Sequence, residues 1–167
     1  DPAFAGARGH AVADEAARRR DDPYLIGYFI DNELGWGNGG SDDPRQRLAL
    51  AHAVLAMDGH QPDAHAKRAL VDLLRQRHDG EIDRLSRAWD RPMVSWEALN
   101  RPIRGTGGPD SQRPAVAADL DAFLAMHADR YFSLVATTLK RHAPNHLYLG
   151  ARFASRTPQA LAACAAW

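Results

Sequence analysis

Asp22-Asp-Pro-Tyr-Leu-Ile-Gly-Tyr-Phe-Ile-Asp-Asn-Glu-Leu-Gly-Trp-Gly37 is the stretch that decides the fold of this chain. Its middle, Tyr24 to Ile30, is a short apolar and aromatic run. Pro23 precedes it, and a loop with glycines from Gly35 to Gly40 follows it. That pattern predicts a strand buried on both faces. The run ends in three polar residues, Asp31, Asn32 and Glu33. Polar groups at the C-terminal end of a buried strand, where it opens into a Gly-rich loop, lie where α/β folds place their chemistry.

These residue types suit sugar chemistry. A carboxyl at an apolar rim is partly desolvated, which favours its protonated form and lets it give a proton to a leaving group. Glu33 is therefore a candidate acid. Asn32 beside it offers both donors and an acceptor to a hydroxyl. Trp36 offers a flat apolar face to the C–H face of a pyranose, and Asn38 lies in the adjoining loop. Strict strand alternation turns Asn32 and Glu33 to opposite sides. Both reach one site only if the strand ends or bulges here. Capping of a turn by Asp31, Asn32 and Glu33 is the plainer alternative.

Outward from this stretch the sequence reads mostly as helix. Phe4 to Arg20 is rich in Ala and Arg and predicts a helix with Arg18-Arg-Arg20 in its last turn. Gly35 to Pro44 predicts a rim loop, since Gly-Asn-Gly-Gly lacks the Lys-Ser/Thr of a phosphate loop. Asp42 or Asp43 caps a helix containing Leu48, Leu50, Val54, Leu55 and Met57. Asp63 can cap the next helix, whose stripe is Ala66, Leu70, Leu73 and Leu74. Gly80 stops that helix, and a short one carries Ile82, Leu85, Ala88 and Trp89. Trp89 and Trp96 read as core anchors. His52, His60, His65 and His78 form no close-set ligand pair and read as surface or interhelical groups, so no metal site is expected.

Pro92 to Pro114, with Gly105-Thr-Gly-Gly108, predicts a loop crossing a rim. Ala115 to His142 is the longest helical signal, with Val116, Leu120, Phe123, Leu124, His127, Tyr131, Leu134, Val135 and Thr138 on one face. Asp119, Asp121 and Asp129 lie mostly off it. His146 to Phe153 is the second strand, with Arg152 near its end as a further polar candidate, for substrate, to orient a carboxylate, or equally as a plain salt bridge at the rim. Thr157 and Pro158 predict an N-cap and first turn for a last helix. Helix, strand, long helical excursion, strand, helix is the grammar of parallel βαβ units.

Composition bounds the rest. The chain has 167 residues, enough for a sizeable core, with 21 Lys+Arg against 21 Asp+Glu and a formal net charge of zero. Nothing there suggests a nucleic acid or an anionic membrane surface as partner. No apolar stretch approaches membrane-spanning length. The single Cys164 excludes an internal disulfide. No signal-peptide pattern or initiator Met is present, and the chain reads as an internal piece of something longer.

Gly27-Tyr-Phe-Ile-Asp-Asn-Glu-Leu-Gly-Trp-Gly37 resembles the fourth-strand motif of the retaining glycosidases built on (β/α)8 barrels. Residues 65–75, Leu85 to Trp89 and Ser95-Trp96 resemble the segment that follows that strand in the β-agarases, glycoside hydrolase family 50. His146-Leu-Tyr-Leu-Gly-Ala-Arg-Phe153 resembles their next strand. The resemblance implies an α/β fold, a partial TIM (β/α)8 barrel from about strand four to the helix after strand five, with residues 1–167 a fragment of a single catalytic domain. It implies Glu33 as general acid/base, Asn32 as a ligand to a sugar hydroxyl, and Trp36, Asn38 and Arg152 as substrate-binding groups. The nucleophile of such enzymes is a Glu on strand seven. Glu15, Glu81 and Glu97, the other glutamates here, fall in predicted helices or turns, so the resemblance implies an inactive isolated piece that needs the remainder of the barrel or a second chain. It implies no cofactor, a galactose-containing polysaccharide or oligosaccharide as partner, and an extracellular or periplasmic location. A β-galactosidase of the same clan and a non-catalytic sugar-binding or scaffold remnant are the alternatives.

Overall fold

Asp1, Thr106 and Gly107 lie outside the residues that the computed structural model describes, as do the side chains of residues 2–5 and 8. The side chain of Phe4 and the middle of the Gly105–Gly108 loop are thus outside it. The described residues form two compact units, one of residues 37–124 and one of residues 2–36 with 125–167.

The second of these contains the strands. β1 (Gly27–Tyr28) pairs in parallel with β3 (Leu147–Tyr148), and β2 (Asn32–Gly35) pairs in parallel with β4 (Arg152–Ser155). Ile30 N donates to Gly150 O at 2.8 Å between the two pairs, while Leu147 N and Leu149 N donate to Ile26 O and Tyr28 O at 2.9 Å. Of the expected strand Tyr24 to Ile30 only β1 forms, and β2 lies beyond it, in residues read as its polar end and the start of a loop; β3 falls within the expected His146 to Phe153, and β4 runs two residues past it. Gly27 is required in β1, because a Cβ at that position would lie 2.3 Å from Leu147 O.

The expected burial on both faces is not found. Tyr24 is 93%, Ile26 73% and Phe29 59% exposed, and only Ile30 of the run is buried. With two strands in each sheet, no third strand among the described residues covers that side. Apolar faces and open strand edges follow, as a two-strand piece of a parallel sheet must show.

The helices of this unit support the ladder. α1 spans Pro2–Arg18, two residues short of the expected end. α6 (Pro114–His142) agrees with the sequence expectation to within a residue at its start and ends as expected. From Ala125 onward it belongs to this unit. Its C-terminal turn is tied to the second strand by Lys140 Nζ, which donates to His146 O at 2.7 Å. His146 is itself buried and donates through Nε2 to Asp22 O at 3.1 Å. α7 (Pro158–Ala166) starts as expected, with the Thr157 hydroxyl accepting from Ala160 N.

The other unit is helical. Asp43 caps α2 (Pro44–Arg47) by accepting from Arg45 N. The single helix expected after it is broken at Leu48, and α3 runs Ala49–Leu55, leaving Met57 outside. α4 (His65–Arg77) has Ala64 as its N-cap, with no side-chain cap, so Asp63 does not take the expected role. α5 (Ile82–Trp89) and a 3-10 turn at Glu97–Asn100 complete it. Leu55, Leu70, Leu74, Leu85, Trp89, Leu99, Leu120 and Phe123 are fully buried in one cluster with the first turns of α6. Trp89 is the expected anchor, and Trp96 packs partly buried at the edge of the cluster.

Two charges are buried, and one of them, Asp119, departs from the expected polar face. Asp119 is 3% exposed and accepts from Arg77 Nε at 2.7 Å, His78 Nε2 at 2.8 Å and Trp89 Nε1 at 2.8 Å. Lys67 is fully buried, and its Nζ donates to Leu55 O at 2.6 Å, which caps the C-terminus of α3. Burial pulls the Lys67 pKa down to about 8.

Removing a charge that others are buried against strands its partners. Asp119→Ala is expected to cost about 3–5 kcal/mol in unfolding free energy, read by urea denaturation. A loss under about 1 kcal/mol would mean that the three donors find water instead. Lys67 supplies a pH signature. An unfolded lysine titrates near 10.4, so between about pH 8 and 10 the folded state holds fewer protons than the unfolded one. Stability from this group therefore rises with pH across that window and is penalised below it. The stability gap between the natural chain and Lys67→Met should move in favour of the natural chain as pH is raised from about 8 to 10. A gap that stays flat would contradict this.

Candidate active site

The polar end of the first strand is not a simple terminus. Asp31 and Glu33 hold φ of +65° and +59°, left-handed conformations that non-glycine residues rarely adopt, with Asp among the more tolerant. The register pairs Asn32 with Arg152 and Leu34 with Phe153, so Glu33 is an extra residue between them. This is a bulge of the kind that re-aims a side chain. Arg152 Nη1 donates to Asn32 Oδ1 at 2.5 Å, and Arg152 Nη2 lies 3.6 Å from Glu33 Oε1. Asn32 and Glu33 thus reach the same guanidinium, which strict alternation would forbid.

The three side chains lie open. The Glu33 side chain is 57% and that of Arg152 61% exposed. The apolar desolvation expected around Glu33 is not supplied by the described residues, because the neighbouring apolar side chains Phe29 and Leu34 are themselves exposed.

Trp36 is 5% exposed and cannot present a face to a sugar. Its ring stacks on Phe132 at 5.3 Å and meets Tyr131 edge-on at 5.4 Å. The reason is positional: Trp36 directly follows β2, where α6 offers an aromatic surface. Asn38 falls in the other unit, where its N–H donates to Gln46 O at 3.0 Å and its Nδ2 to Gln46 Oε1 at 3.4 Å. The Gly35–Pro44 loop is further held by Arg47 Nη1, which donates to Ser41 O at 2.9 Å.

The other glutamates, Glu15, Glu81 and Glu97, are engaged elsewhere. Glu15 pairs with Arg19 on α1, and Glu81 pairs with Arg84 beside α5. His60 sits between Asp58 at 2.7 Å and Glu97 at 2.9 Å, and these two hydrogen bonds raise its pKa; the Asp58 pKa is lowered by the His60 backbone N–H, which donates to it at 3.0 Å, and then by the imidazole. His52 Nε2 meets Ser111 Oγ at 2.6 Å, and burial lowers its pKa. His65 is the first residue of α4. No group of three or more His, Cys, Asp or Glu among the described residues is placed to hold a metal ion. The residue that sequence reasoning missed is Asp31, whose backbone makes the first left-handed step of the bulge. The available signal was weak: three consecutive polar residues after an apolar run, the first of a type that tolerates positive φ.

No protein-family model matches the chain. It is 39% identical to Beta-agarase A of Vibrio sp. (strain JT0107) over 154 residues, covering 87% of this chain and 14% of that protein. It is 31% identical to Beta-agarase B of the same strain over 135 residues, covering 81% of this chain and 13% of that protein. The chain therefore spans a small part of these curated relatives. Among solved structures, that of an agarase, AgWH50C, superposes with a TM-score of 0.86 at 31% identity, over 99% of this chain and 23% of that one. PfGH50B gives 0.88 at 25% identity over 100% and 23%. An exo-beta-agarase gives 0.88 at 25% identity over 100% and 22%.

The left-handed step at Asp31 should resist β-branching. Asp31→Val is expected to be about 1–2 kcal/mol less stable than Asp31→Asn, since both remove the charge and only Val is β-branched. Equal stability of the two variants in thermal unfolding would show that position 31 does not need this conformation.

Proposed function

From the homology of this chain to the β-agarases of glycoside hydrolase family 50, we propose that it is part of a retaining glycoside hydrolase that cleaves β-galactosidic bonds in agar-type polysaccharide. In this reading residues 1–167 are a segment of one (β/α)8 catalytic domain, from strand four to the helix after strand five. Glu33 is the general acid/base and Asn32 holds a hydroxyl of the sugar at the cleavage site. The nucleophile is a carboxyl outside this sequence, and no cofactor takes part. The observation that carries the reading is the bulge at Asp31–Glu33, which brings Asn32 and Glu33 to one side of the strand end.

The chemistry follows from one proton. A retaining glycosidase sets two carboxyls about 5–5.5 Å apart. Glu33 gives its proton to the glycosidic oxygen while the second carboxylate attacks the anomeric carbon and the C–O bond breaks. Glu33, now a carboxylate, takes a proton from water, whose oxygen displaces the enzyme carboxylate and releases the sugar. The present chain holds only the first of these carboxyls, so alone it performs neither half. The remaining strands of the barrel would cover Ile26, Phe29 and Leu149 and supply the desolvation that raises the proton affinity of a rim carboxyl.

Glu33→Gln in the full-length protein is the test. Hydrolysis of agarose should fall by about 10²–10⁴, with thermal unfolding and oligosaccharide binding nearly unchanged, since the substitution is close to isosteric. An aryl galactoside with a good leaving group needs less help from an acid and should lose much less in the bond-breaking step. Full activity of Glu33→Gln on agarose would show that another group is the acid.

A further inference from the structure

Arg152 raises a question that the acid/base reading leaves open: which end of the Asn32 amide faces the substrate. A guanidinium carries five N–H donors and no acceptor. The amide atom that Arg152 Nη1 meets at 2.5 Å must therefore be the oxygen, Oδ1. The orientation of Asn32 is set by chemistry, because a flipped amide would put N–H against N–H. Its Nδ2 donates to none of the described residues. The pairing is built into the ladder, since Asn32 and Arg152 are register partners of β2 and β4. The same guanidinium stands 3.6 Å from Glu33 Oε1 and so limits where that carboxyl can swing. Exposed ion pairs add little to stability, so a stabilising role explains this arrangement poorly.

We infer that Arg152 is a positioning residue that fixes Asn32 as a hydrogen-bond donor toward substrate. This rests on the proposed site and deepens it. The ligand that such a group recognises is an oxygen with a free lone pair, a sugar hydroxyl or ether oxygen accepting from Nδ2. One lone pair of Oδ1 is engaged by Arg152 and one remains, whereas both N–H groups of Nδ2 are left for substrate.

The experiment uses the full-length protein carrying Arg152→Ala, Arg152→Lys, Asn32→Asp and the double substitution Arg152→Ala with Asn32→Asp. Activity on agarose and oligosaccharide affinity are read for each, the affinity in a Glu33→Gln background. Asn32→Asp keeps the oxygen that Arg152 holds but turns a second oxygen to the sugar. It should lower kcat/KM and affinity by about tenfold to a hundredfold, the loss expected for one buried donor replaced by an acceptor. Arg152→Ala should lower them by a smaller factor while leaving the melting temperature in place, and Arg152→Lys should restore part of the loss. The double substitution should be no worse than Asn32→Asp alone, since Arg152 acts through Asn32.

Unchanged kinetics and affinity in Arg152→Ala, or losses that multiply in the double variant, would overturn the inference. So would full function of Asn32→Asp, which would mean that the substrate donates. These results are separable from the acid/base reading. If Glu33→Gln keeps full agarose activity while the affinity losses follow the expected pattern, Arg152 keeps its role and Glu33 loses its own. If Glu33→Gln is inactive and Arg152→Ala is normal, only the role of Arg152 falls.

Discussion

One parallel ladder, from Ile26 to Gly35 against residues 147–155, is the constraint on which the candidate site depends. Its backbones come close enough at Gly27 that any side chain there would strike the Leu147 carbonyl. With the register fixed at that end, Asn32 has to stand opposite Arg152. Two left-handed residues then break the alternation of side chains, and the extra residue of the bulge is Glu33. A slip of one residue would turn the set of side chains to the other face of the sheet. Register, bulge and side-chain convergence are thus one property of this pairing.

The helical unit answers a different physical problem. It holds a charged carboxylate at Asp119 and a lysine at position 67 inside a hydrophobic cluster. Asp119 is tolerable because it has a guanidinium, an imidazole and an indole N–H, so its lone pairs are used. Among the described residues Lys67 hydrogen-bonds to carbonyls alone, Leu55 O and, at 3.4 Å, Arg101 O. It joins the end of α3 to the loop after the 3-10 turn, and burial weakens its hold on its proton. Charges so placed make unmatched packings of these helices costly.

Elements with strong local signals were legible in the sequence. α6 has a long apolar stripe, and α7 has Thr157 and Pro158 at its start, and both lie where periodicity and capping put them. The two parallel strands and their order were legible too, as was Trp89 as a core anchor. The residues that carry the resemblance at the first strand, Gly27 to Gly37, led to the same family as the β-agarases that the chain matches. What escaped depends on contacts distant in sequence. Asp119 reads as a polar-face residue until Arg77, His78 and Trp89 are brought to it. Trp36 reads as a sugar platform until α6 covers it. Asp63 is a good cap by type, yet α4 begins with no side-chain cap. The breaks between β1 and β2 and between β3 and β4 follow from irregular steps at Asp31 and Gly150, where φ is positive, and local hydrophobicity does not report φ.

The structure of the full-length protein inactivated by Glu33→Gln, with an agarose oligosaccharide bound, tests the central claim most directly. The side chain at position 33 should lie about 2.6–3.2 Å from a glycosidic oxygen, and Asn32 Nδ2 should donate to a neighbouring sugar oxygen while Oδ1 stays on Arg152. A sugar chain that binds away from the strand ends at residues 31–33 and 152, or one whose glycosidic oxygens avoid position 33, would contradict the account.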